Sequence, residues 1–325
     1  MTTTTTGSTL ATLDDYVSAV AWSPDGDRLV AASLAGEVAL LANGAVRPLP
    51  GHPGGVLGAC WSADGTLATA GQDGFVRAHR GDESWSVELG GWVHALAWRP
   101  DSSLLAAGAG RDAVLIDTSG AVVVRHRAPA TVASLTWVPG GRRVGVGHYG
   151  GITWLEPPGE SPKKRFEWKG SILTLVASPD GRWVASGNQD NSVHVWRLWS
   201  GDDMQMTGYA AKIEHLAWHP TSRWLCVGDI GEVTCWDFAG RGPQGSRPKE
   251  LKGHGRRITG LAFGGKRLAS ASADGTVRFW TLPSTKVERV VEVSEEISSI
   301  CWHPSHRRLA VGGAQGRVVV VDVDG

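Results

Sequence analysis

Apolar and small residues alternate in short runs along this chain, each run closes in a turn, and the whole phrase recurs. Residues 251–287 give one copy in full. Ile258, Leu261 and Phe263 are the apolar positions of a first strand, and Gly264-Gly265 turns the chain. Leu268-Ala269-Ser270-Ala271-Ser272 is a second strand whose small side chains let neighbouring sheets approach closely. Asp274-Gly275 is a strong hairpin signal. Thr276-Val277-Arg278-Phe279-Trp280 is a third strand of β-branched and aromatic residues. Val287 to Val293 then alternates as an outer fourth strand, and no segment carries a helical period.

The first strand of each copy ends at an anchor: Trp22, Trp61, Trp98, Trp137, Trp218, Phe263 and Trp302, with Ala177 holding the place in the fifth copy. Successive anchors lie 37 to 45 residues apart, the period of propeller blades. Four strands cannot bury both faces alone, so each sheet must stack on its neighbours, and radial stacking leaves only short edges. The pattern predicts an all-β fold, a single eight-bladed propeller of four-stranded antiparallel blades over residues 8–325; seven blades is the alternative. The last copy runs through Ile297–Trp302, Arg308–Gly312 and Arg317–Asp322 and lacks an outer strand. Residues 8–13 alternate like a strand and are expected to supply it, closing the ring, with residues 1–7 a disordered tail.

Composition narrows the function. The 44 Gly suit many tight turns, and the 16 Trp suit a recurrent packing site. The 32 basic and 32 acidic residues cancel, which disfavours a general attraction to nucleic acid or anionic lipid. The Thr-rich start carries no basic leader or apolar core, and no apolar run approaches the roughly 20 residues that cross a bilayer. Cys226 and Cys235 could face each other across one hairpin, but the four cysteines read better as buried free thiols. A cytoplasmic protein without a cofactor, monomeric on its own, is the expectation. The Pro/Gly-rich insertion at 240–248 reads as an exposed loop.

Gly253-His254, Asp274 and Trp280 resemble the Gly-His, turn Asp and terminal Trp of the WD-repeat (WD40) β-propellers, and Trp236-Asp237 is that family's literal dipeptide. The resemblance covers nearly the whole chain, and residues 208–254 are similar to a bacterial subset. It is specific for fold and unspecific for function. It implies that His254, Ser270, Asp274 and Trp280 form a buried hydrogen-bond network rather than a catalytic triad. His52, Thr69 and Asp73 form the variant in the second blade, with His79 at the Trp place. The fifth keeps Ser186, Asp190 and Trp196 but has Trp168 where the His would be. Elsewhere Ala35, Arg111, Tyr149, Ile230 and Gln315 replace the turn Asp, so those blades are expected to rely on apolar packing.

The resemblance also implies binding at the end that carries the loops into the inner strands and the turns between second and third strands. There the sequence offers an aromatic and imidazole group, Tyr16, Trp92, His94, His148 and Tyr149, and a charged arc, Lys212, Glu214, Asp229, Arg257 and Glu296. Exposed aromatics flanked by charge suit a protein-binding hot spot. His94 and His148 also raise a metal reading. His215 and His219 have a ligand spacing only if helical, and they lie in a strand running into a Pro turn. His303 and His306 flank Pro304 in a surface turn, so structural or solvated histidine is the better reading. The expected function is a non-enzymatic scaffold for an unidentified protein or peptide, with no membrane or nucleic-acid partner. A metal-handling accessory protein and an enzyme sited in the channel are the alternatives.

Overall fold

The computed structural model describes residues 7–159, 164–240 and 242–324. Among these residues there are strands and turns and no helix. The strands form eight radial blades. Blades 1, 2, 3 and 8 are separate four-stranded antiparallel sheets. Blades 4 and 5 share the long strand Lys164–Ala177, which is outermost in one and innermost in the next; Lys249–Gly264 does the same for blades 6 and 7. In blade 4, the first half of Val144–Leu155 pairs with the inner strand and the second half with the outer one.

Each inner strand packs on the next, and Ile297–Trp302 of blade 8 packs on Val17–Trp22 of blade 1. The core therefore lies between sheets, not inside them. One cluster joins Phe279 and Val291 of blade 7 to Trp302 and Leu309 of blade 8, and another joins Ala310 and Val318 of blade 8 to Val17 and Leu29 of blade 1. The anchors stitch blade to blade as well. Indole N–H groups of Trp61, Trp137, Trp218 and Trp302 donate to the carbonyls of Ala21, Ala97, Val176 and Ala262, each just before the preceding blade's anchor.

The ring is latched as the alternation predicts. Ser8–Thr12 pairs antiparallel with Arg317–Asp322 as the outer strand of blade 8, and Leu13 N–H donates to Gly316 O at 2.9 Å. Gly7, placed in a disordered tail by composition, instead packs on the last strand: a Cβ there would meet Val319 at 2.3 Å. The rest of that expected tail, residues 1–6, lies outside the described residues. In the 240–248 loop, Gly240 O accepts from Arg182 of blade 5 at 3.4 Å, while Arg241 lies outside the described residues.

Candidate functional site

One end of the ring gathers the loops into the inner strands and the turns between second and third strands. Backbone bonds tie them: Leu34 N–H to Tyr16 O, Gln72 to Gly55, Gln189 to Ser171, Ala273 to Arg257, and Ala314 to Glu296, all at 2.8 to 3.0 Å. In seven blades the inner strand has a register shift at its second residue, which takes Ser18, Leu57, His94, Ala133, Leu173, Thr259 and Ser298 out of the ladder. Bulges of this kind re-aim one side chain. His94 accordingly lines a recess of about 220 Å³ in the channel wall beside Ala59, Leu96 and Ser134, below the rim.

Among the described residues, four large apolar side chains stand exposed at this end: Trp92 (61 %), Tyr149 (55 %), Ile230 (52 %) and Leu34 (37 %). Trp92 and Tyr149 are where the sequence placed them. Leu34 and Ile230 were absent from that set, and the signal was available: each sits in a turn whose Asp is missing. Tyr149 also stands at the lip of a groove of about 760 Å³ running between blades 4 and 5 past Arg165, Trp168 and Lys169.

Two residues expected on the rim are buried. His148 is 3 % exposed; its Nε2 lies 2.9 Å from Thr153 Oγ1 and its Nδ1 2.7 Å from Tyr149 O. The polypeptide reverses at Tyr149–Gly151, where the register shifts, and this turns His148 inward and Tyr149 outward. Asp229 is 8 % exposed and accepts the N–H groups of Ala210 and Ala211 at 2.8 and 3.1 Å. Among the described residues no three His, Cys, Asp or Glu are grouped to hold a metal ion.

The charged arc pairs within itself. Arg257 Nη2 donates to Glu296 Oε1 at 2.8 Å, and Lys212 Nζ lies 2.9 Å from Glu214 Oε1. Half-buried Tyr16 shares this neighbourhood. Burial pushes its phenol up; Glu296 and Glu214 add to the rise while Arg257 opposes it. Inside the channel mouth, burial pushes His215 down to about 4, so the ring is neutral.

The network of blade 7 is assembled in full. Trp280 N–H donates to Ser270 Oγ at 2.9 Å, Ser270 Oγ lies 2.8 Å from His254 Nε2, and His254 Nδ1 faces Asp274 Oδ2 at 3.3 Å. The carboxylate beside Nδ1 places the imidazole proton there, leaving Nε2 to accept from the hydroxyl. Burial alone would raise the Asp274 pKa, but the Gly255 N–H, the Thr276 donors and His254 outweigh it and hold the group down. Ser270 is fully buried and accepts a hydrogen bond from the Trp280 indole, a structural role closed off from solvent. Blade 2 keeps the His52 contacts to Thr69 at 2.9 Å and Asp73 at 2.8 Å, while His79 Nε2 is buried without a partner.

Blade 5 departs from the expected network. Ser186 Oγ donates to Asn188, and Asp190 is exposed and accepts from Ser192 Oγ at 2.6 Å. Trp168, in the His place, meets His194 edge-on at 4.3 Å, and His194 stacks on Trp196 at 4.3 Å. A stack of rings takes the place of a polar chain.

Four of the five blades without a turn Asp do not rely on apolar packing alone, contrary to what departure from the family network implied. Glu37 Oε2 accepts from Asp14 N–H at 2.7 Å in blade 1, and Arg111 Nε donates to Ala128 O at 3.1 Å in blade 3. Asp229 serves blade 6, and Glu295 Oε2 accepts from Gln315 N–H at 2.6 Å in blade 8. Each joins a turn to a loop with a side chain from a different position, although the motif is not repeated.

Comparison with known proteins agrees with this architecture. The family described as "WD domain, G-beta repeat" (WD40) matches residues 7–40, 44–79, 161–197, 245–281 and 288–322, more than half of the chain. THO complex subunit 3 of Arabidopsis thaliana is 29 % identical over 120 residues, 36 % of this chain and 38 % of that protein. Transducin beta-like protein 2 of Mus musculus is 27 % identical over 179 residues, 51 % of this chain and 39 % of that one. Both matches span well under half of the relative's length. The C-terminal WD40 domain of Sif2 superposes with a TM-score of 0.82 at 16 % identity, covering 99 % of this chain and 100 % of that one. With the repeats, the network of blade 7 and the ring closure in agreement, the chain belongs to the WD40 family of β-propellers.

Proposed function

We propose that this chain is a rigid, non-enzymatic platform that binds a protein or peptide partner at the end carrying Leu34, Trp92, Tyr149 and Ile230. One observation carries the reading. Trp92, Tyr149 and Ile230 fall in residues 80–160 and 198–244, the two longest stretches outside the family matches, and they are among the most exposed large apolar side chains of the described residues. Six of the nine exposed large apolar side chains among the described residues lie where the chain leaves the common pattern, and Leu34, within a match, adds to the same end. Exposed aromatic and aliphatic groups in fixed loops are the usual anchors of an interface, and a preformed surface avoids the ordering cost of a flexible one.

The charges next to these anchors act differently. Arg257 with Glu296 and Lys212 with Glu214 already satisfy each other and are partly exposed, so they contribute orientation more than affinity. Apolar contact dominates, and binding should depend only weakly on salt.

The test is affinity capture of a partner from the source cell, followed by titration of that purified partner against two triple variants. Trp92→Ser with Tyr149→Ser and Ile230→Ser should weaken binding at least about tenfold. Trp199→Ser with Val122→Ser and Val123→Ser, which removes exposed apolar groups elsewhere, should leave it unchanged. The opposite ranking would reject this face.

A further inference from the structure

Blade 6 holds a pair of side chains that neither the binding face nor the family network uses. Cys226 and Cys235 are direct partners in the antiparallel pairing of Trp224–Gly228 with Ile230–Asp237. Both are fully buried, and their Sγ atoms are in contact at 2.7 Å. The flanking bonds fix the parity of the ladder. Phe238 N–H donates to Arg223 O, and Asp229 N–H donates to Glu232 O. These hydrogen-bonded pairs lie three steps either side of Cys226 and Cys235, so the cysteines form a non-hydrogen-bonded pair. Such pairs have Cα atoms about 4.5 Å apart and the closer side chains. That separation falls within the roughly 4.4–6.8 Å range that a disulfide spans.

We propose that Cys226 and Cys235 are a redox-responsive modification site: a dithiol in reducing surroundings that closes to a cross-strand disulfide when a small-molecule disulfide is present. In the first exchange a thiolate of the pair attacks the reagent, forming a mixed disulfide and releasing one small thiol. The second cysteine then displaces the other half. Two protein S–H bonds and the reagent's S–S bond are broken, one protein S–S bond forms, and the two electrons and two protons leave on the two thiols released from one reagent disulfide. Because both sulfurs are buried, exchange takes place while the hairpin is open, during folding or local opening. Burial also pushes the Cys226 thiol up, which keeps the closed, reduced hairpin unreactive.

The link would staple the hairpin whose turn carries Asp229 and Ile230. Cys60 and Cys301 are in blades 2 and 8 and have no cysteine opposite them in the ladder. The pairing is therefore unique within the chain.

The experiment is to unfold the full chain, refold it with glutathione disulfide or with dithiothreitol, then denature it and alkylate it with iodoacetamide. Refolding with the disulfide should give a protein with two alkylated cysteines and a peptide cross-link between Cys226 and Cys235; the reduced sample should give four alkylated cysteines. The oxidised form should also melt several degrees higher, and the amides of the hairpin should exchange more slowly. Cys226→Ser, with Cys226→Ala as a second variant in case a buried hydroxyl prevents folding, should leave three alkylated cysteines under both conditions. Four alkylated cysteines after oxidative refolding, glutathione retained on either cysteine without ring closure, or a cross-link to Cys60 or Cys301 would each overturn the proposal.

Discussion

The carboxylate of Asp229 accepts the backbone N–H of Ala210 at 2.8 Å, joining a turn of blade 6 to the loop that enters the same blade 19 residues earlier. In blade 7 the carboxylate of Asp274 does the corresponding work on Gly255 N–H at 2.7 Å from one position further along the turn. Asp274→Ala leaves the Gly255 and Thr276 donors and the His254 ring without their acceptor. It should cost about 1–3 kcal/mol in denaturant unfolding, as should Asp229→Ala. Asp190→Ala, at an exposed site, should stay within about 0.5 kcal/mol of the parent. Equal effects at Asp190 and Asp274 would show that the blade networks are not what fixes these loops.

The indole stitches give a second prediction. Trp137 Nε1 donates across the blade boundary to Ala97 O at 2.9 Å, whereas Trp98 Nε1 is buried without a partner. Replacing each with Phe removes similar volume but only one hydrogen bond. Trp137→Phe should therefore cost about 1 kcal/mol more than Trp98→Phe. The reverse order in thermal or urea unfolding would contradict the stitching.

Much of this was legible in the chain, for a physical reason. The strand period of two and the anchor at the end of each inner strand recur along the chain, which fixes the blades, and the resemblance of Gly253-His254, Asp274 and Trp280 to the WD-repeat pattern placed Ser270, Asp274 and Trp280 in one network. The bridges made by Glu37, Arg111, Asp229 and Glu295 were not legible. Their partners are backbone groups, which leave no trace in the sequence, and each reaches from a different offset. His148 was misread because the reversal at Tyr149–Gly151 changes which of two adjacent residues points outward. The self-pairing of Arg257 with Glu296 joins residues 39 positions apart, a contact that only blade stacking creates.

Closure supplies a third prediction. Removing residues 1–12 takes away the outer strand of blade 8 and uncovers the edge of Arg317–Asp322. An open edge invites pairing with other chains and removes the last contact that completes the sheet. The truncated protein should melt several degrees lower and associate at high concentration. An unchanged melting temperature would mean that the strand is incidental.

Acid stability follows from the histidines. Burial is the leading cause that holds nine of them below the ordinary value: His52, His79, His126, His148, His194, His215, His219, His254 and His303. The unfolded chain takes up protons near the ordinary histidine pKa of about 6.5, before the folded chain does. This part of the stability is therefore present above that pH and is lost as pH falls. The melting temperature should drop steadily from pH 7.5 to pH 5, with net proton uptake on unfolding. A flat or rising profile over that window would contradict these burial effects.

The central claim is that one end of the ring is the working surface. Hydrogen exchange of the propeller with and without its captured partner tests it most directly. The account predicts slowed exchange in the turns and loops carrying Leu34, Trp92, Tyr149 and Ile230, and little change elsewhere. Slowing concentrated at the opposite end, around Trp199, or along the outer strands would contradict it.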